Sequence, residues 1–367
     1  MTDERAIKHR RVLEYLTRRE LKALVLSRRC NFSWYTGGAH NYVGTACDVG
    51  NSWLLVDGDG ARVLTSNIEA TRLREEELSE TGIEVVAFDY ADAAGRHQAF
   101  SKAIGDRPAA ADAPVGGLDL PAVDGEFDRL RWTLTSWEID RYRTLCTDVV
   151  ACVEGVARAA RVGRSENELA GDLAAALRSR GCVPWVLLVA ADERLERHRH
   201  PLPTDKRVER CAMLATCAER HGLISACTRI VAFGAMPAEL GRKHQAVAAV
   251  DTALITSTRV GATLGAIFAE AQEAYAAAGF EEQWTMHHQG GSCGYLPREV
   301  KAGPGEPTVV LADQAFAWNP SIAGTKSEDT ILCRESGPEV LAEPTDWPTV
   351  VGQWKDRTLT RPAILLA

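Results

Sequence analysis

Met286-His287-His288-Gln289-Gly290-Gly291-Ser292-Cys293-Gly294-Tyr295-Leu296-Pro297-Arg298-Glu299 is the stretch on which the fold assignment turns. Two adjacent histidines precede a glycine pair, and a tyrosine leads into an Arg-Glu pair. Histidine exchanges protons near neutral pH, and a carboxylate can orient it. Glycines beside it let a ligand approach the backbone. Two more polar clusters interrupt apolar sequence: Arg197-His198-Arg199-His200-Pro201 upstream, and Asn319-Pro320 with Ser327-Glu328-Asp329 downstream. Taken singly, each has an ordinary structural reading. His198 and His200 between arginines suit a solvated loop, the His287-His288 pair suits one buried and one exposed ring, and Glu328 beside Asp329 can close a salt bridge. As metal ligands these histidines lack partner carboxylates at suitable spacing.

Working outward, Trp137 to Ala160 carries apolar residues at helical spacing, and Ser165-Glu166-Asn167-Glu168 is a capping box opening a helix that ends near Gly181. Pro184 to Ala191 is strand-like, and Met213–Cys217 with Ile224–Phe233 reads as a hairpin around His221-Gly222. Helices are expected over Leu240–Thr258 and Leu264–Ala278, then strands from Trp284 to Leu332 broken at Gly290-Gly291 and Asn319-Pro320. The first part of the chain differs in texture. Ala23–Leu26, Ser52–Val56, Ala61–Leu64 and Ile83–Phe88 read as strands, with Asp57-Gly58-Asp59-Gly60 as a turn. The Gly-, Pro- and Asp-rich run from Val115 to Gly125 approaches a domain boundary. The expectation is an α+β chain with an N-terminal α/β domain, residues 1–133, and a catalytic-type domain, residues 134–367.

The composition narrows the partners. A net charge of −8 over 367 residues, with no basic run, argues against nucleic acid and anionic membranes. No apolar run approaches the roughly 20 residues that span a bilayer. The charged start, Met1 to Arg11, lacks the apolar core of a signal peptide, so a cytoplasmic location is expected. Ten cysteines without a Cys-x-x-Cys pair are expected as free thiols rather than a zinc ribbon.

The order of the motifs resembles one family. Asn31-x-x-Trp34-Tyr35-Thr36-Gly37, His200-Pro-x-Pro-Thr-Asp, Thr228-Arg229, Met286-His287, Arg298-Glu299, Asn319-Pro320 and Glu328-Asp329 together resemble the creatinase/prolidase/aminopeptidase P family. The resemblance spans essentially the whole chain and implies a creatinase/prolidase-type N-terminal domain followed by a pita-bread domain. The family's metallopeptidases hold two metal ions with two Asp, one His and two Glu. Matched motif to motif, those positions here are Ala215 or Cys217, Ala226, Gly291, Asn319 and Glu328. One carboxylate of five cannot hold a dimetal site, since hard cations need several anionic or imidazole ligands. No metal and no other cofactor are therefore expected.

Creatinase, a metal-free member, implies a different chemistry. Its proton-relaying histidine matches His200, a second matches His287, and its Tyr-x-x-Arg-Glu ending matches Tyr295 to Glu299. The two glutamates that hold creatine's guanidinium correspond to Thr228 and Asn319, an uncharged pair that cannot neutralise a buried cation. Creatine is not expected. A neutral or anionic substrate presenting a carboxylate to Arg298 or Arg229 fits better.

The expected catalytic residues are thus His200 and His287 for proton transfer and Glu328 to orient a histidine or a water. His198, His288, Arg298, Glu299, Asn319, Thr228 and Tyr295 are expected around the substrate. The resemblance implies a homodimer in which His40, Asn41 and Tyr42, with Trp34 behind them, reach the partner's pocket. The reading that results is a metal-independent, creatinase-like hydrolase of an amide-like C–N bond in a small molecule. Alternatives are a metal-free lyase or cyclisation enzyme, and a non-catalytic protein that binds a ligand or another protein.

Overall fold

The computed structural model describes residues 3–342 and 346–367. The chain divides into two compact units, Met1–Arg131 and Trp132–Ala367.

The first unit is built on a five-stranded sheet of order β4-β3-β2-β1-β5. The apolar run at Ala23 becomes its strand β1 (Ala23–Arg28), preceded by α1 (Asp3–Arg18) and followed by α2 (Arg29–Thr36). Then come β2 (Val49–Asp57), β3 (Gly60–Ser66), α3 (Asn67–Arg72), β4 (Glu84–Phe88), α4 (Ala93–Ile104), β5 (Ala109–Ala111) and the short α5 (Gly125–Asp128). The Asp-Gly turn pairs Asp57 with Gly60, so β2 and β3 form the expected hairpin. Gly37 closes α2 in the left-handed region, φ 83°, where a side chain would be strained.

The second unit opens with α6 (Ser136–Ala159) and α7 (Glu166–Ser179), each started by a complete capping box, Thr135 with Glu138 and Ser165 with Glu168. Next are β6 (Val183–Ala191), α8 (Glu193–Arg197), β7 (Cys211–Arg220) and β8 (Leu223–Ala232). β7 and β8 meet through His221-Gly222, both with positive φ, as a two-residue hairpin requires. After α9 (Ala238–Ser257) and α10 (Leu264–Ala277) come β9 (Gly290–Cys293), β10 (Val300–Lys301), β11 (Gln314–Trp318), β12 (Ser321–Ile322), β13 (Thr325–Lys326), β14 (Asp329–Arg334) and β15 (Gly337–Val340). The chain ends with β16 (Thr349–Trp354), β17 (Arg357–Pro362) and β18 (Leu365–Leu366). No helix among the described residues is long and apolar enough to cross a membrane. All ten cysteines are free thiols.

Two sheets, β18-β8-β7-β6 and β10-β9-β11-β14-β15, carry the site. Apolar faces of α9 and α10, including Val250, Leu254, Ile267, Phe268 and Tyr275, pack on Phe316, Trp318 and Ile331 of the larger sheet. Each such side chain contributes about 1.5–3 kcal/mol on full burial. The sheets are tied where the Thr228 N–H donates to the Glu328 carbonyl at 3.1 Å and the Ala226 N–H to Thr330 Oγ1 at 2.9 Å. The arrangement is α+β, as expected.

One expectation fails here. Gly290-Gly291 does not break the strands; it begins β9, with Gly290 opposite Trp318 and Gly291 opposite Ala317. Both glycines have positive φ, and a Cβ at Gly290 would overlap Ala317 O, one at Gly291 Val300 O. They are glycine because β9 is squeezed between β10 and β11.

Candidate active site

A cavity of about 410 Å³ opens in the second unit. Trp185, Val186, Leu187 and Leu188 of β6 and Ala215, Thr216 and Cys217 of β7 form one wall. His200 and His288, with Arg298 from the β9–β10 loop, Asn319 after β11, Lys326 of β13 and Glu328, supply its polar groups. The three polar clusters of the sequence therefore converge.

His200 and His287 meet through their Nε2 atoms at 3.0 Å, and Ser321 Oγ lies 3.3 Å from His287 Nδ1. The His288 ring is 4.6 Å from that of His287, and its Nδ1 accepts the Gly290 N–H at 3.3 Å. Burial, then the Lys326 ammonium and the neighbouring histidines, pushes His287 down to about 2. Burial, then Arg298, pushes His288 down to about 4. His200 is lowered too, by burial and then Lys326, with Glu328 opposing. The proton exchange near neutral pH expected from sequence is thus corrected for His287 and His288: at neutral pH the cluster is uncharged, and these two rings are suited to accepting a hydrogen bond rather than holding a proton.

Glu328 is 4% exposed. Burial raises its carboxyl, but Lys326 and Arg298 outweigh that and hold it below the ordinary range. The sequence gives it the task of orienting a histidine or a water; in the structure Oε2 bonds Lys326 Nζ at 2.7 Å and accepts from Thr228 Oγ1 at 2.6 Å, with Arg298 Nη2 3.6 Å from Oε1. Lys326 escaped the sequence reading. The available signal was its place two residues before Glu328, which in extended chain puts both on one face. The β6 wall was also missed, because an apolar strand gives no hint that one face borders a cavity.

Other expected site residues lie elsewhere. Arg229 is no substrate anchor: it is fully buried, bonded to Glu154 and Asp329 at 2.9 Å each, and Arg361 links Asp329 to Asp251 at 2.7 Å on each side. Tyr295 is buried and donates to Glu138 Oε1 at 2.7 Å, supporting β9 without lining the cavity. His198 is exposed outside the lining, and half-buried Glu299 is also outside it. Trp34, in the first unit, is a core residue edge-on to Tyr35 and Phe127. His40 packs edge-on to Tyr42, the Arg29 guanidinium covers Tyr42 at 3.6 Å, and Asn41 is buried, its amide bonded to the Ser27 and Ser52 carbonyls.

The positions matching the family's metal ligands do not fit a dimetal centre. Ala215 offers a methyl group, and burial pushes the Cys217 thiol up to about 11, so it is no thiolate at neutral pH. Ala226 is likewise apolar, Gly291 has no room for a side chain, Asn319 is neutral, and Glu328 already holds Lys326. A different group, His200, His287 and His288, brings ring nitrogens within 4.8 Å of one another. A dication there would face the Lys326 and Arg298 charges, which add to the effect of burial in keeping these rings unprotonated. The His288 Nδ1 lone pair is also occupied by Gly290 N–H.

Comparison with known proteins agrees with this geometry at the level of fold. The profile of metallopeptidase family M24 matches residues 140–335. The structure of the prolidase from Pyrococcus horikoshii OT3 is similar with a TM-score of 0.78 at 20% identity, covering 92% of this chain and 98% of that one. The Xaa-Pro dipeptidase from Bacillus anthracis gives 0.77 at 17% identity, covering 99% and 100%. The N-terminal domain of the FACT complex subunit SPT16 from Cicer arietinum (chickpea) gives 0.67 at 13%, covering 92% and 95%. No curated protein matches the chain.

Proposed function

The chain belongs to metallopeptidase family M24, and we propose that within it this protein is a metal-independent hydrolase that cuts an amide-like C–N bond in a small anionic molecule. The observation that carries the reading is the His200–His287 contact, 3.0 Å between Nε2 atoms, beside a cavity whose cations are Lys326 and Arg298.

With His287 held neutral, its Nε2 accepts the His200 Nε2–H while its own Nδ1–H faces Ser321 Oγ. That fixes the His200 tautomer and leaves Nδ1 of His200 as the base. Water gives a proton to His200 as its oxygen attacks the carbonyl carbon. The oxyanion so formed is stabilised by the Lys326 and Arg298 cations. The proton then passes to the leaving nitrogen as the C–N bond breaks, yielding a carboxylate and an amine. Such acid–base catalysis gives ~10²–10⁴-fold.

The test is a panel of N-acyl amino acids and lactam acids in metal-free buffer, read by amine release. His200→Ala and His287→Ala should each lower kcat on any active compound by at least ~10²-fold while the protein stays folded. Peptides with an X-Pro bond should stay intact. A panel without turnover, or histidine variants at full rate, would refute the reading.

A further inference from the structure

A second cavity, of about 190 Å³, opens in the same unit between α8, the start of β7, the end of β8, the start of α9 and the β12–β13 turn. It shares no lining residue with the first. Its floor is apolar: Leu195, Cys211, Ala232 and Leu240 belong to a small core cluster with Met213 and Ile230, and half-buried Phe233 joins them. The charged groups around it divide in two. Three acids are already engaged. Asp192 accepts the backbone N–H groups of Glu209, Arg210 and Cys211 at 2.7–3.0 Å, Glu193 lies 3.5 Å from Lys206 Nζ, and Glu239 holds Arg242 at 2.9 Å. The side chains of Glu196, Arg210 and Lys243 make no hydrogen bond or ion pair among the described residues. Glu196 and Arg210 are exposed and Lys243 is half-buried, so a ligand reaches all three heads from solvent. Burial, then Asp192, raises the Cys211 thiol; Glu196 raises it as well and Arg210 lowers it, so opposite charges stand over the apolar floor. Gly324 sets Glu196 there: its N–H donates to the Leu195 carbonyl at 3.1 Å, and a Cβ on it would lie 3.4 Å from Glu196 Cγ.

One uncommitted anion, two uncommitted cations and an apolar floor between them describe the complement of a small zwitterion. We propose that this cavity binds a free α-amino acid with an apolar side chain, its ammonium on Glu196, its carboxylate on Arg210 and Lys243, and its side chain on the floor of Leu195, Phe233 and Leu240. Drug-sized ligands occupy pockets of roughly 300–1,000 Å³, so this smaller space suits a molecule of amino-acid size. A guanidinium grips a carboxylate through two parallel N–H bonds, and the two cations meet the one group of the ligand that carries negative charge. The apolar floor sets the choice among amino acids, because each carbon removed from water adds affinity. The site stands apart from the first cavity and from the hydrolase reading, and neither depends on the other.

Calorimetric titration of the full chain with leucine, alanine, isopentylamine (leucine without its carboxylate) and isocaproate (leucine without its ammonium) tests the assignment. Leucine should bind about 10- to 60-fold more tightly than alanine, the effect of three further carbons taken out of water. It should bind about 2- to 5-fold more tightly than isopentylamine or isocaproate, the worth of one solvent-exposed charge contact. Glu196→Gln should bind leucine and isocaproate alike, and Arg210→Gln/Lys243→Gln should bind leucine and isopentylamine alike; both changes lie outside the packed core. Iodoacetamide labelling read by peptide mass spectrometry locates the ligand. Leucine should slow the labelling of Cys211, which lines this cavity, and leave Cys217 of the first cavity and exposed Cys47 unchanged. The proposal is overturned if leucine shows no saturable binding, binds no more tightly than its two fragments, keeps its advantage in the variants, or protects Cys217 in place of Cys211. Should Cys211 prove inert to the reagent, the Glu196→Gln comparison alone decides.

Discussion

Acidification should weaken the folded protein through the histidine cluster by a calculable amount. His287 sits near 2 and His288 near 4 in the folded chain, against about 6.5 for an unperturbed ring. Because the folded values are depressed, the unfolded chain binds protons first. The stabilisation is complete above about pH 6.5 and is lost as pH falls toward the folded values. Each group loses about 1.4 kcal/mol per pH unit within that window. Between roughly pH 6.5 and 4.5 this amounts to about 2 kcal/mol per ring, or about 4 kcal/mol together. That is a large part of a typical stability of about 5–15 kcal/mol. Urea denaturation of the wild type and of His287→Gln/His288→Gln at both pH values isolates the effect, since other titrating groups are common to both proteins. The variant should lose on the order of 4 kcal/mol less on acidification. Equal losses would show that these rings are not held neutral by burial and by Lys326 and Arg298, and would remove the basis for His287 as a neutral acceptor.

Two further outcomes follow from the packing around the site. Lys326→Met strips Glu328 of its 2.7 Å partner and leaves Arg298 at 3.6 Å, so urea denaturation at neutral pH should show a loss of about 3 kcal/mol or more; unchanged stability would mean the pair is not coupled. Gly291→Ala forces a Cβ toward Val300 O at positive φ and should cost at least ~1–3 kcal/mol. A variant as stable as the wild type would show that β9 has slack, and with it room for the histidine the family places there.

The helices and the hairpins were legible because each carries a local signal: Ser165-Glu166-Asn167-Glu168 caps α7, and His221-Gly222 supplies two positive φ values. The convergence of His200, His287, Arg298, Asn319 and Glu328 was legible only through the order of short motifs. What stayed hidden depends on long-range partners. Arg229 looked like a substrate anchor until Glu154 and Asp329, 75 and 100 residues away in sequence, were seen to neutralise it. Gly290-Gly291 looked like a strand breaker because nothing local announces that β10 and β11 close on it from both sides. The shifts at the histidines arise from burial and from Lys326 and Arg298, which no local pattern encodes.

The central claim is that the chain works without the family's metal ions, and the metal content of the purified protein tests it most directly. Elemental analysis of protein purified without chelator should find far less than one equivalent of Mn, Co, Zn or Fe, and EDTA should leave Tm unchanged. The residues at the ligand positions, Ala226, Gly291 and Asn319 among them, leave no carboxylate or imidazole there except Glu328. A stoichiometric, tightly held metal together with a fall in Tm on adding EDTA would contradict the account.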